Sequence, residues 1–199
     1  MDDEEGVFGY VFIDAAEPGR NVRGLVDKLS GVNRPDVRVW FASDVAGAYE
    51  GFAVVQAREL KHLQDFLQEQ ELWADQKKTH IEKGGGPVPA KRDGCEMLAI
   101  VRIQTKRGAA QSVYDALLKL VEADKAEHGD DRHYHGVSLV FGSFDILLTL
   151  NAADMDTLTD LALGLQELTD GDGPLRIART ETSFADCRHL EARRGQPPS

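Results

Sequence analysis

Two histidines flank a tyrosine at the head of an apolar stretch, His133-Tyr134-His135. If this is a strand, period-two alternation sets His133 and His135 on one face, roughly 7 Å apart, and Tyr134 on the other. Imidazoles so placed could bind a metal, hold a tetrapyrrole by its carboxylate or its iron, or act as acid and base. The plainer reading is a solvated strand entry beside Asp130, Asp131 and Arg132. Elsewhere Arg102 and Gln104 alternate with Val101 and Ile103, which turns both polar side chains to one face. Should that face line a closed interface, Arg102 is a buried cation that requires a carboxylate, from the protein or from a ligand.

Stronger chemical signatures are missing. The run Gly84-Gly85-Gly86 is not followed by Gly-Lys-Ser/Thr, so it is no phosphate loop. Neither a G-x-S-x-G elbow nor a CxxC or HExxH motif occurs. No residue is therefore assigned a catalytic or metal-ligating role. No cofactor is expected, and the balance tilts away from an enzyme.

The elements that must position these residues come in two similar series. Strand patterns at Val7 to Asp14, Val37 to Ala42, Gly51 to Gln56 and Lys78 to Glu82 enclose two helix patterns. The first helix carries Val22, Leu25, Val26 and Leu29 and stops at Gly31; the second spans Arg58 to Trp73. The order then returns, with strands at Met97 to Gln104, His133 to Phe141, Phe144 to Leu150 and Leu175 to Phe184. Helices at Ala109 to Ala126 and Ala153 to Leu168 separate them. The spacing predicts an α+β chain of two tandem ferredoxin-like βαββαβ units, over 1–83 and 95–187. A Gly/Pro linker covers 84–94 and a loose tail 188–199. Each unit leaves one sheet face bare, so the halves should pack together as a pseudo-dimeric α+β barrel.

The repeat is sharpest before the third strand of each half. Gly47-Ala48-Tyr49-Glu50 matches Gly142-Ser143-Phe144-Asp145, both G-x-aromatic-acid. This turn resembles that of the effector-binding domain of the Lrp/AsnC family of regulators, over about Val7 to Glu82 and Cys95 to Phe184. The resemblance implies a regulatory domain that binds small molecules, amino acids among them, near the turn. By that resemblance the ligand residues are Gly142, Phe144 and Asp145, with Gly47, Tyr49 and Glu50 in the first half. Arg102, His133 and His135 join them as candidates. It also implies assembly into homo-oligomers or with related domains. The family's helix-turn-helix domain has no counterpart here.

Composition bounds the rest. Hydrophobic residues make up 42% and charged residues 29% of 199, which suits a globular protein. The net charge of −11 disfavours nucleic acid as a direct partner. The acidic start MDDEEG is unlike a signal peptide, no apolar run suits a bilayer, and a cytoplasmic home without a membrane partner is expected. Cys95 precedes the first strand of the second unit and Cys187 follows its last, antiparallel neighbours in a ferredoxin-like sheet; their Cα atoms should lie within about 10 Å as free thiols. The leading reading is a small-molecule sensor without its own DNA-binding domain. The alternative is a small enzyme or tetrapyrrole-binding protein of the dimeric α+β barrel kind, using His133 and His135.

Overall fold

A computed structural model describes residues 6–13, 22–32, 34–47, 49–69, 79–84, 97–129, 133–141, 143–169 and 173–186. Strand β1 (Val7–Ile13) leads into helix α1 (Val22–Ser30), which buries Val22, Val26 and Leu29 at helical spacing. Then come β2 (Val37–Asp44), the two-residue β3 (Ala46–Gly47), β4 (Gly51–Ala57), α2 (Leu60–Glu69) and β5 (Thr79–Gly84). The second half repeats the order as β6 (Met97–Thr105), α3 (Ala110–His128), β7 (Tyr134–Phe141) and β8 (Ile146–Ala152). Helix α4 (Met155–Gly164) and β9 (Ile177–Asp186) complete it.

Several ends differ from expectation for local reasons. Helix α3 reaches His128, two residues beyond the expected end, and stops where Gly129 adopts φ +59. Helix α4 begins after Asp154, whose carboxylate accepts a hydrogen bond from the Thr157 amide at 2.8 Å. It then tightens into a 3₁₀ turn at Leu165–Glu167. Gly84, assigned to the linker by composition, is the last residue of β5. The linker beyond it, the tail, Gly142, Cys95 and Cys187 lie outside the described residues.

All nine strands form one sheet in the order β2-β4-β1-β5-β7-β8-β6-β9-β3. Each half has the ferredoxin-like order, β5-β1-β4-β2 and β9-β6-β8-β7. Since β3 follows β2 after one residue, the two ends of the sheet meet and the barrel closes. Two thin seams join the halves. Lys83 and Gly84 pair with Phe141 and Val140, and Ala46 and Gly47 pair with Phe184 and Ser183. Gly47 has φ +124, and a Cβ there would lie 2.5 Å from the Thr182 carbonyl oxygen, so only glycine lets this seam form.

The apolar residues divide into three cores. One lies between each half's sheet and its helices, and the third fills the barrel with Phe8, Tyr10, Phe12, Phe52, Leu98 and Ile100 among others. Strands β4 and β8 are buried along their whole length, because helices cover one face and the barrel interior the other. The two G-x-aromatic-acid turns are equivalent in backbone. The Glu50 amide donates to the Ile13 carbonyl at 3.0 Å, as Asp145 does to Ile103 at 3.0 Å. Val45 donates to Glu50, and Val140 to Asp145, both at 2.9 Å. Among the described residues no helix is long and apolar enough to cross a membrane.

Candidate functional site

Barrel closure brings Tyr49, Arg102 and Phe144 together at one point of the interior. Arg102 stands on β6, opposite Glu181 of β9, and its side chain enters the barrel, where the residue is 1% exposed. Its guanidinium donates to the Tyr49 hydroxyl and to the Glu181 carboxylate. Its Cζ lies 4.5 Å from the ring centroid of Phe12, 4.2 Å from Tyr49 and 4.1 Å from Phe144. Three ring faces thus surround a cation that cannot lose its charge, and the carboxylate supplies the neutralisation that rings do not. Glu181 also accepts from Arg179 at the exposed end of the cluster. The carboxylate that a buried Arg102 requires is therefore present in the chain. Because Tyr49 belongs to the first half and the other polar groups to the second, this centre ties the halves together.

The remaining turn residues have plainer surroundings. The Asp145 carboxylate accepts from the Thr105 amide at 2.8 Å and the Thr105 hydroxyl at 2.9 Å, which secures the turn to the end of β6. Glu50, its counterpart, is exposed. The aromatic of each turn enters the barrel and the glycine of the first allows a close seam.

A second cluster forms where α3 ends and β7 begins. Asp124 continues the buried stripe Val113, Leu117, Val121 of α3 and is 8% exposed. One of its oxygens accepts from the Tyr134 amide at 2.6 Å, and the other meets His128 Nδ1 at 2.9 Å. A carboxylate has no proton to give, so in the neutral ring Nδ1 carries it, and Nε2, 3.8 Å from Glu127 Oε1, is the basic nitrogen. The His128 side chain is 42% exposed. Its ring centroid lies 5.9 Å from that of His133. His133 Nδ1 lies 3.3 Å from the Asn151 carbonyl, which assigns its proton in the same way. Burial, with the Asp124 charge second, pushes the Tyr134 phenol above its ordinary pKa. Two basic nitrogens, one of them on a ring held by a buried acid, can accept and return protons. Among the described residues no group of three or more His, Cys, Asp or Glu is placed to hold a metal ion.

Here the sequence reading needs correction. A register shift between Tyr134 and Gly136 bulges β7 at His135, so strict alternation fails where it was applied to His133 and His135. The partner that the fold supplies to His133 is His128, which the sequence reading missed. Its signal was an acid ending an apolar helical stripe with histidine four residues on. The imidazoles lie at the opposite end of the second sheet from Arg102. Asn151 pairs with Leu98 and Leu147 with Arg102, about 14 Å apart along the strand.

No protein-family model matches the sequence, and no curated protein matches it either. Solved structures do match in fold. A mutant chlorite dismutase from Candidatus Nitrospira defluvii is similar with a TM-score of 0.53 at 15% identity, over 97% of this chain and 97% of that chain. An anthrone oxidase-like protein is similar with a TM-score of 0.58 at 8% identity, over 93% and 94% of the two chains. This chain therefore shares the α+β architecture of such proteins end to end. These findings overturn the resemblance to Lrp/AsnC effector domains, on which the regulatory reading was built. The G-x-aromatic-acid turn misled because its described residues serve the barrel hairpin: Gly47 the seam, Tyr49 and Phe144 the interior, Asp145 the end of β6. It reports a fold that unrelated families share.

Proposed function

We propose that this chain is a small α+β-barrel enzyme whose acid–base centre is Asp124–His128, with His133 beside it. The observation that carries the reading is the buried Asp124, which holds His128 Nδ1 at 2.9 Å and leaves Nε2 as a base on a partly exposed ring. The enzyme names of the proteins alike in fold favour this over a regulatory role. The tetrapyrrole arm of the sequence reading fits less well. One cleft of macrocycle scale in the second half, about 530 Å³, is lined by Leu120, Leu168, Leu175, Lys119 and their neighbours. No imidazole or thiolate stands among its described lining residues. The space between sheet and helices there is filled by Ala99, Val101, Leu117, Leu148 and Leu158.

The reaction class is proton abstraction from an activated carbon acid, with His128 Nε2 as base and Asp124 stabilising the imidazolium that forms. An anthrone is a suitable probe, because its methylene is acidified by the conjugated carbonyl. Exchange of the anthrone methylene protons for deuterium, followed by NMR, isolates this step from any oxidation. We expect exchange faster than in buffer with equimolar free imidazole, slowed at least about 10²-fold by His128→Gln. Rates equal in wild type and His128→Gln would refute the reading.

A further inference from the structure

We propose that the cleft between α3 and the residues Leu168, Thr169 and Leu175 is a binding site for a small aliphatic monocarboxylate. This cleft, of about 530 Å³, falls in the size range of small-molecule sites. Its floor is aliphatic, formed by Leu120, Leu168 and Leu175, with Ala116 on the helix side. No aromatic ring is among its described lining residues, which favours a flexible hydrocarbon chain over a flat ring.

The walls are set before any ligand arrives. The Leu175 amide donates to the Leu168 carbonyl at 2.8 Å, and Thr169 forms a bridge with Pro174, which fixes the far wall. The near wall is the first half of a 19-residue helix. Little ordering cost therefore falls on binding.

Charge selects the head group. Lys119 is the cation among the lining residues, and among the described residues it has no hydrogen bond or ion pair. Asp115, one turn earlier, is engaged by the Gln111 amide at 2.8 Å. An ammonium without a partner at the rim of an aliphatic floor complements a carboxylate that carries an alkyl chain. The chain's net charge of −11 does not oppose this strongly, since distant charges are screened beyond about 8 Å at physiological salt.

The test uses octanoate on the full chain, with octanol and octylammonium as controls, followed by thermal shift and by NMR. Octanoate should stabilise the protein and move the resonances of Lys119 and Leu168, whereas octylammonium should not. Lys119→Gln should weaken octanoate at least about 10-fold, to the level of octanol, with the fold intact. Ala116→Phe, which fills the cleft from a partly exposed helix position, should abolish both. Three results would each overturn the proposal: octanol binding as well as octanoate in the wild type, octanoate unaffected by either substitution, or no octanoate binding at millimolar concentration. Because the cleft and the imidazole cluster are separate, none of these results bears on the acid–base reading.

Discussion

At the middle of the barrel the two halves set different residues on the same backbone. Phe12 and Arg102 each precede the isoleucine whose carbonyl receives the turn amide, so they are equivalent positions, and so are Tyr49 and Phe144. Yet one half contributes two rings and the other a cation with its own carboxylate, Glu181. A symmetric dimer would present each residue twice. Two guanidinium groups about 5 Å apart would repel by about 3 kcal/mol at an effective dielectric of 20. Joining the halves in one chain removes that constraint, and a ring can face a cation. The duplicated backbone preserves the fold while its interior diverges.

Restoring the symmetry should do the most damage. Phe12→Arg would place a second buried cation beside Arg102, and far-UV circular dichroism should show a chain that does not fold in buffer. A folded variant would mean that the interior takes up water or an anion more readily than the packing suggests. Next in size is Glu181→Ala, which removes the carboxylate beside the buried Arg102 and should lower stability in urea by about 4 kcal/mol. The paired change Arg102→Leu with Glu181→Leu should recover most of that loss. If the single variant costs under 1 kcal/mol, the ion pair does not join the halves.

The strand residues two places earlier sharpen the contrast through pH. Tyr10 in β1 corresponds to Ile100 in β6, and both are buried in the barrel. Burial, partly offset by a hydrogen bond with Ser138, pushes the Tyr10 phenol up to about 12. A folded value above the ordinary 10 means that stability is full below pH 10 and declines as pH rises through 12. The decline is of order 3 kcal/mol. Alkaline unfolding of Tyr10→Phe should be flatter across pH 10 to 12 than that of the wild type; equal slopes would assign the decline to other groups. Smallest is the difference between the turn acids. Asp145→Ala should cost about 1 to 2 kcal/mol by releasing Thr105, and Glu50→Ala under about 0.5, read as urea midpoints.

Much of the architecture was legible because it is local. Helical spacing of Val22, Val26 and Leu29, or of Val113, Leu117 and Val121, marks buried faces whatever the rest of the chain does. The repeated series of elements then required two ferredoxin-like units and a partner for each bare sheet face. Less legible was the site. Strict alternation brought His133 and His135 together, and a one-residue bulge undid it. The helix that carries His128 was expected to end two residues too soon. The turn motif pointed to a family where it expressed only a hairpin.

By itself, then, the sequence determined the elements, their order, the twofold repeat and the need for a carboxylate opposite a buried Arg102. Each follows from covalent neighbours or from the cost of burying a bare charge. Tertiary structure alone decided that Glu181 is that carboxylate and that Tyr49 shares the cation. It also set His128 beside His133, and it closed the barrel through two seams of two residue pairs each. His128 and His133 aside, those partners lie far apart in the chain, 53 residues for Tyr49 and Arg102, 79 for Arg102 and Glu181, and more across the seam of Ala46 with Phe184. No periodicity records such distances. They are set when strands pair and side chains pack, and both depend on the whole sheet at once.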